Sequence, residues 1–301
     1  MQRNQSYRLA VIIPVFNSLH FTKKCLATLY KQFEQIEKNV NIMIILFNDG
    51  STDGTPEWVK NHYPEVIILN GDGSNWWSRS VNKCTEYVLK EDIADYIIWW
   101  NNDIEPFDDY FEKVISLLPE IGDHTVAGSK IYVKGTNLVW GMGGYFNKIN
   151  GNKYHNAYMV EDCEKYDKIT SVDWLPGMGT IAHTSIHSKV GPIDADKFPQ
   201  YHGDIDFTLS AKLANYDINV FPQLRIYNDI SNTGVKLKRS WTEMFQTMRS
   251  IKSLYNFKID ILLYKKYTKV PFSYLSLITK YGKFIGGFIK NKLIQAISSN
   301  R

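Results

Sequence analysis

The sequence predicts an α/β fold in which helices cover both faces of a mostly parallel sheet. Short apolar runs without polar alternation are typical of strands that are buried on both faces. Segments with apolar residues at helical spacing separate these runs, and this alternation favours a parallel sheet with crossover helices. The runs also end in polar clusters, which is typical of the ligand-binding edge of such a sheet.

The elements follow in a regular order. The predicted strands are Leu9–Ile13, Ile42–Phe47, Val66–Leu69, Tyr96–Trp100 and Ile218–Phe221. The predicted helices are Ser18–Phe33 with Ser18 as N-cap, a short helix over Pro56–Asn61, Ser78–Leu89 and Phe207–Ala214. After Pro119 the pattern loosens into glycine-rich connections and shorter strands.

Composition and charge divide the 301-residue chain into two parts near residue 232. Residues 1–232 carry the α/β pattern, and residues 233–301 read as a basic helical extension. Between Lys236 and Lys292, 13 Lys and Arg residues stand against Glu243 and Asp260, a net charge of +11. Because the whole chain carries +4, the remainder carries −7. An acidic body with a basic tail suggests an anionic surface as a partner of the tail.

The last part of the extension has the pattern of an amphipathic helix. Apolar residues recur there at spacings of three and four, at Leu277, Ile278, Tyr281, Phe284, Ile285, Phe288 and Ile289. Lysines stand among these aromatic and aliphatic residues, which fits an anionic membrane surface. The alternative is a helix that packs on the catalytic domain or on a second subunit. The longest apolar stretches fall short of the roughly 20 residues that span a membrane.

Cysteine usage and the first residues predict a cytoplasmic protein. Cys25, Cys84 and Cys163 are odd in number and lack metal-ligand spacing, which favours reduced thiols. The polar start of the chain has no secretory signal pattern. The expected place is therefore the cytoplasm, with the cytoplasmic face of a membrane as a candidate surface.

Three acidic motifs follow predicted strands or precede predicted helices. They are Asn48-Asp49-Gly50-Ser51-Thr52-Asp53, Trp99-Trp100-Asn101-Asn102-Asp103 and His202-Gly203-Asp204-Ile205-Asp206. Carboxylates at such an edge can bind a nucleotide, a metal ion and a reacting hydroxyl group.

Together with further segments, these motifs resemble the family 2 glycosyltransferases with the GT-A fold, in a rhamnosyltransferase-like bacterial branch. The further segments are Val11-Ile12-Ile13-Pro14-Val15-Phe16-Asn17, Gly71-Asp72-Gly73-Ser74-Asn75-Trp76-Trp77 and Asp173-Trp174-Leu175-Pro176-Gly177. The resemblance covers roughly residues 8–229. The order in which all of these motifs occur is more specific to the family than any one motif.

The resemblance implies one catalytic residue and one metal ligand. Asp204 matches the base that takes a proton from the acceptor hydroxyl, with Asp206 as an alternative base or a first-turn helix acid. Asp103 matches the last acid of the family's Asp-x-Asp motif and would bind Mg²⁺ or Mn²⁺ on the donor diphosphate, with a helix N-cap for the segment that starts near Pro106 as the alternative. The chain departs from the family at two positions, because Asn101 replaces an Asp and Gly203 replaces a Glu.

The resemblance also implies a nucleotide site. Asp49 would accept the N3–H of a uracil or thymine ring, with a loop-closing Asx turn as the alternative. Residues that match the donor-binding segments are Pro14, Asn17, Ser51, Trp76, Arg79 and Asn102. Arg79 could pair with a phosphate, whereas paired tryptophans are also ordinary core residues. Asn228-Asp229 stands where many relatives have a metal-binding His.

The predicted function is inverting transfer of a sugar from a nucleotide-diphosphate donor. The expected acceptor is a hydroxyl of a glycan or a lipid-linked glycan in cell-surface polysaccharide synthesis, and no nucleic acid partner is expected. The first alternative is a non-catalytic nucleotide- or sugar-binding module. Asn101 and Gly203 favour this alternative because they replace acidic residues of the family pattern. A nucleotidyltransferase lacks support because no glycine-rich turn with Arg or Lys follows the first strand.

Overall fold

A computed structural model describes residues 6–36, 40–230, 240–271 and 273–299, with the side chains of the last helix described up to Ile294. Thirteen strands lie in this part of the chain: β1 Tyr7–Val15, β2 Val40–Asn48, β3 Ile67–Asn70, β4 Tyr96–Trp99, β5 Ile104–Pro106, β6 Thr125–Val133, β7 Leu138–Gly141, β8 Gly144–Phe146, β9 Lys153–His155, β10 Val160–Glu161, β11 Thr170–Ser171, β12 Thr180–His183 and β13 Asp217–Asn228. The α-helices are α1 Leu19–Phe33, α2 Thr55–His62, α3 Trp76–Glu91, α4 Tyr110–Ile121, α5 Thr184–Val190, α6 Gly203–Leu213, α7 Trp241–Arg249, α8 Phe257–Tyr267 and α9 Ser273–Ser299.

The predicted α/β sheet is confirmed and has a parallel half and a mixed half. Its main path runs β3-β2-β1-β4-β12-β6-β7-β10. The first four strands are parallel, so their carboxyl ends meet at one edge. Strand β12 is antiparallel to β4 and β6, and β13 runs parallel to β6. The three acidic motifs lie after β2, after β4 and at the start of α6.

Helices cover both faces of the sheet because β1 is apolar on both of its faces. Leu9 and Val11 pack in one core cluster with residues of α1 and α4, including Leu26. Ala10 and Ile12 pack in a second cluster with residues of α3 and α5. This two-sided burial explains why the strand reads as a continuous apolar run in the sequence.

One predicted helix start is confirmed in position and another is wrong. Helix α1 begins at Leu19 with Ser18 in the N-cap position, as predicted, but the side chain of Ser18 does not cap it. Instead, the Leu19 N–H donates to Oδ2 of Asp53 at 2.8 Å, a contact between loops that are distant in sequence. Helix α6 begins at Gly203 rather than Phe207, so Asp204 lies in its first turn.

The predicted last strand of the body is too short. It extends as β13 to Asn228, because β13 pairs with β6 along its length, with an irregularity between Phe221 and Arg225. That pairing is a tertiary contact, and the apolar run in the sequence covers only its first part.

The basic extension packs on the body and shares a core with it. Ile259, Leu263 and Tyr267 of α8 lie in one apolar cluster with Trp174 and Ile205 of the body. The predicted boundary near residue 232 falls within residues 231–239, which lie outside the described residues. In the described part of the chain, no helix is long and apolar enough to cross a bilayer.

Candidate active site

The loops that follow β1 and β2 are tied together at the carboxyl edge of the sheet. The Asn17 N–H donates to Oγ of Ser51 at 3.0 Å, and Oδ1 of Asn17 accepts from the Thr52 N–H at 2.8 Å. Asn17 adopts a φ of 47°, a left-handed conformation that Asn tolerates better than most residues. The predicted donor residues Asn17 and Ser51 therefore shape the rim of the site through contacts with each other.

Asp49 organises the loop that precedes α3. Its carboxylate accepts the backbone N–H groups of Gly73, Asn75 and Trp76 at 3.0 Å each, and also the side-chain amide of Asn75 at 2.8 Å. A carboxylate has about four acceptor positions, and these donors occupy them. The contacts are those of the loop-closing alternative, and direct acceptance of a nucleobase N–H by Asp49 stays a prediction.

A cavity of about 390 Å³ opens between these two loops and the start of α3. Its lining consists of Pro14, Val15, Phe16, Asp49, Gly73, Trp76, Trp77, Ser80, Gln200, Tyr201 and Lys252. Of the predicted donor residues, the structure brings Pro14, Asp49 and Trp76 together here. Aromatic rings beside polar groups suit a nucleotide, since a base can stack while its polar edges find partners.

Lys252 lines this cavity, and the sequence did not reveal it. It lies between α7 and α8, and its Nζ is 5.3 Å from the ring centre of Trp76. The basic composition of the extension gave a general signal, but nothing in the sequence distinguished this lysine from its neighbours. A mobile ammonium group at the cavity can pair with the phosphates of a nucleotide.

Trp77 connects the cavity to the other two acidic motifs. Its Nε1–H donates to Oδ1 of Asn101 at 3.0 Å, so the residue that replaces the family's first Asp orients this indole. A Cβ atom at Gly177 would lie 2.3 Å from the Trp77 ring, which explains the glycine. The N–H of Gly177 in turn donates to Oδ2 of Asp204 at 3.0 Å.

Asp204 is held at the start of α6 and remains partly accessible. Its Oδ1 also accepts the N–H of Ile205 at 2.8 Å. Burial raises the pKa of Asp204, and the N–H donors of Ile205 and Gly177 and the charge of Lys153 oppose that rise. The neighbouring Gly203 has a packing reason, since a Cβ atom there would lie 2.1 Å from Oγ of Ser78 on α3.

Asp206, the alternative base, is occupied by structural contacts. Only 1% of its surface is exposed, and its Oδ1 accepts the hydroxyl of Tyr267 and Nζ of Lys266, both at 2.6 Å. Its Oδ2 accepts the N–H of Asp194 at 3.2 Å. These contacts favour Asp204 as the carboxylate that can reach an acceptor.

Asp103 lies in a separate, smaller recess of about 120 Å³, together with Asp229. Burial raises the pKa of Asp103, and the negative charge of Asp229 raises it further. In the described ranges, no group of three or more His, Cys, Asp or Glu side chains converges on a metal position. Two facing carboxylates nevertheless fit Mg²⁺ or Mn²⁺, because such ions often take one or two carboxylates and complete their shell with phosphate oxygens and water.

Two predicted donor residues make contacts away from the cavity. Nη2 of Arg79 pairs with Oδ1 of Asp196 at 2.6 Å, on a partly exposed surface. Nδ2 of Asn102 donates to the hydroxyls of Ser18 and Thr22 at 2.7 and 3.0 Å. The side chain of Asn102 therefore fastens the β4 edge to α1, and a phosphate contact by Arg79 stays a prediction.

Comparison with known proteins identifies the family. The family model for Glycosyl transferase family 2 matches residues 10–167, more than half of the chain. The chain belongs to this family, as its motifs predict. An uncharacterized glycosyltransferase of Mycoplasma genitalium, MG025, is 29% identical over 170 residues, which are 55% of this chain and 53% of that protein. The match thus spans about half the length of this relative.

Solved structures share the fold at low sequence identity. A crystal structure of GalNAc-T7 with UDP, GalNAc and Mn²⁺ has a TM-score of 0.57 at 10% identity, over 75% of this chain and 44% of that chain. The mannosyltransferase PcManGT of Pyrobaculum calidifontis, with GDP-Man and Mn²⁺, has a TM-score of 0.55 at 11% identity, over 97% and 85%. TarS of S. aureus has a TM-score of 0.52 at 16% identity, over 81% and 40%. These likenesses confirm the GT-A fold.

Replacing Lys252 with Met should weaken binding of a nucleoside diphosphate about tenfold while leaving the nucleoside nearly unaffected. A hydrogen bond to a charged group contributes about 1.5–3 kcal/mol, and 1.4 kcal/mol is a factor of ten in affinity. Calorimetry with UDP, dTDP and GDP, and with the matching nucleosides, measures the difference. Lys258→Met is the matched control, since it removes the same charge from an exposed position of the extension. Equal losses in both variants would contradict a phosphate contact at Lys252.

Proposed function

We propose that this chain is an inverting glycosyltransferase that moves a sugar from a nucleotide-diphosphate donor to a hydroxyl of a glycan or lipid-linked acceptor. The proposed context is cell-surface polysaccharide synthesis. The observation that carries the proposal is the Asp204 carboxylate, which two N–H groups hold beside the indole that borders the donor cavity. Membership of the family and the nucleotide-bound relatives support this function.

The donor nucleotide occupies the cavity beside Trp76 in this proposal. Asp49 acts by fixing the loop whose backbone lines the cavity, and Lys252 offsets part of the phosphate charge. The aromatic lining accepts several bases, and a uracil or thymine nucleotide carrying rhamnose follows from the branch that the sequence resembles. A panel of UDP-, dTDP- and GDP-linked sugars therefore comes first in any assay.

Asp103 and Asp229 are the residues that would hold a divalent metal ion. When bound, Mg²⁺ or Mn²⁺ would neutralise charge on the donor diphosphate and so assist its departure. Burial is the main cause of the raised pKa of Asp103, and the negative charge of Asp229 adds to it. The recess also holds Lys24 and Lys134, which pair with Glu105. A cation beside Asp103 and Asp229 would offset the repulsion between them, which supports the assignment of this pair.

Asp204 accepts the proton of the acceptor hydroxyl as that oxygen attacks the anomeric carbon. A carboxylate performs this step only when it is ionised. Because burial raises the pKa of Asp204 above its ordinary value, activity is lost at a higher pH than for an exposed Asp. Activity is full above this raised pKa and falls as the pH decreases through it.

Asp204→Asn should lower the turnover number by about 10²–10⁴-fold, the usual contribution of a general base, while donor affinity stays within about threefold. Initial rates with the best donor, and donor titration by calorimetry, separate the two quantities. Asp167→Asn is the control, because the side chain of Asp167 is 61% exposed and pairs with Lys130 rather than with a residue of the site. A variant that keeps a tenth of the wild-type rate would contradict the assignment. Wild-type protein that binds donor but releases no sugar would favour the non-catalytic binding module.

Asp103→Asn should weaken nucleoside diphosphate binding about tenfold in Mn²⁺ but less than about twofold in chelator. The change removes one of the two carboxylates that would bind the ion. Because such a site has only one or two protein ligands, the loss of one should weaken ion binding and hence diphosphate binding. Calorimetry in both buffers gives the ratio, and Asp108→Asn serves as the control, because Asp108 is exposed and does not line the recess of Asp103. Equal losses with and without the ion would place Asp103 outside the metal site.

We propose further that α9 binds an anionic membrane on the cytoplasmic face. Leu275, Ile278 and Leu293 are 60–68% exposed, and Ile289 is 39% exposed. Their spacing along the sequence places these four residues on one side of the helix. The opposite side of the helix packs on the protein through buried residues such as Leu277. Lysines flank the exposed stripe, and each basic residue near an anionic surface contributes about 1 kcal/mol.

Ile278→Glu combined with Leu293→Glu should reduce binding to phosphatidylserine-containing vesicles about tenfold or more. The change removes apolar area and adds negative charge at the proposed contact. Sedimentation with vesicles at low and high salt measures it, and Ile169→Glu is the control at an exposed apolar residue of the body. Unchanged sedimentation contradicts the membrane proposal. Loss of a dimer in analytical ultracentrifugation would instead support the packing alternative.

A further inference from the structure

A buried polar network links the C-terminal extension to the first turn of α6. Asp260 of α8 is 1% exposed, and its Oδ1 lies 3.2 Å from Nε2 of His202. Its Oδ2 accepts the hydroxyl of Tyr281 at 2.6 Å and also contacts Nζ of Lys280, both from α9. A fully buried carboxylate with this many partners is costly to form, so its partners are fixed relative to one another.

The network continues from His202 to Lys153 on β9. Nζ of Lys153 lies 3.1 Å from Nε2 and 3.3 Å from Nδ1 of the His202 ring. Because the carboxylate of Asp260 can only accept, Nε2 carries the proton that it receives. Of the two ring nitrogens, only Nδ1 can then accept from the ammonium of Lys153, at 3.3 Å. The ring of His202 thus contacts both Asp260 and Lys153.

His202 stands two residues before the proposed base. Its φ of 70° lies in the left-handed region, where a non-glycine residue is strained, and its carbonyl accepts the Asp206 N–H at 2.8 Å. His202 is therefore the residue at which the chain turns into α6. Its buried ring, held by Asp260, fixes the direction in which that helix begins and hence the place of Asp204.

We propose that Asp260 is a positioning residue for the base Asp204, acting through His202 and Lys153, so that the C-terminal extension completes the active site. This inference rests on the function proposed above. Asp260 fixes the turn into α6 and supplies the negative charge that keeps an ammonium group near Asp204. Asp260 itself does not contact the reacting atoms.

The charges around Asp204 support this role. Burial lowers the pKa of Lys153 to about 8, against the attraction of Asp260. Burial and the charge of Lys153 lower the pKa of His202 to about 4, so its ring is neutral. Burial would raise the pKa of Asp260, but His202, Lys153 and Lys280 hold it well below its ordinary value. Burial and the charge of Lys153 lower the pKa of His155 on β9. Burial and the charge of Asp260 raise the pKa values of Tyr264 and Tyr281.

Removing the charge of Asp260 has a definite effect on Lys153. The attraction of Asp260 raises the pKa of Lys153, so without it this lysine loses its proton at a lower pH. A contact that only stabilised the fold would change the melting temperature without changing the pKa of Lys153.

Asp260→Asn tests the proposal in the full-length protein. We expect the turnover number to fall about tenfold or more while the donor KM stays within about threefold. The pKa of Lys153 is measured separately by NMR of protein labelled at the lysine Cε, and we expect it to fall by about one unit. That measurement needs no sugar transfer.

His202→Asn keeps the test possible if Asp260→Asn does not fold. Asn tolerates the left-handed conformation, so the turn into α6 is retained while the ring that reaches Asp260 is lost. We expect the same loss of turnover. Lys266→Met is the matched control, because it breaks another Lys–Asp contact between the extension and α6, at Asp206, and should leave turnover within about twofold.

The outcomes separate this inference from the proposed function. Wild-type protein that transfers no sugar refutes the function, whatever Lys153 does. With an active wild type, a lower pKa of Lys153 and a lower turnover number at nearly unchanged donor KM in Asp260→Asn support the inference. An unchanged turnover number, an unchanged pKa of Lys153, or an equal loss in Lys266→Met overturns it.

Discussion

The central constraint on this molecule is the burial of β1 on both faces between parallel neighbours. No apolar residue from Leu9 to Ile12 is exposed, and the strand pairs with β2 on one side and β4 on the other. The loops that leave these strands must then emerge together at one edge, where they cannot be covered by the helices. The donor cavity, the Asn101 edge and the recess of Asp103 all depend on this arrangement.

Trp77 is where the parts of the site meet. Its indole borders the donor cavity, donates to Asn101 and packs against Gly177, whose N–H holds Asp204. The two departures from the family pattern acquire physical reasons in this setting. The amide of Asn101 accepts the indole N–H, and Gly203 makes room for Ser78 on α3.

The extension belongs to the same unit as the body. It contributes Lys252 to the donor cavity, α8 residues to a shared apolar cluster, and Asp260 to the network beneath α6. The exposed apolar residues of α9 and its buried ones, such as Leu277, lie on different sides of the helix. A membrane contact through the exposed stripe of α9 would thus leave the contacts to the active site in place.

The sequence by itself determined the sheet, the family and the order of the acidic motifs, because apolar periodicity and strand-end polar residues are local signals. Tertiary structure decided what those residues touch. It showed that Asp53 rather than Ser18 caps α1, and that Asp49 closes a loop. It also showed that Tyr267 and Lys266 occupy Asp206 while Asp204 remains accessible. Lys252, Lys153 and Asp260 carried no local signal, since a charged side chain in a basic or polar segment has no periodicity that marks it. Their roles depend on distances between segments far apart in the chain, and only the packing of α8 against α6 sets those distances.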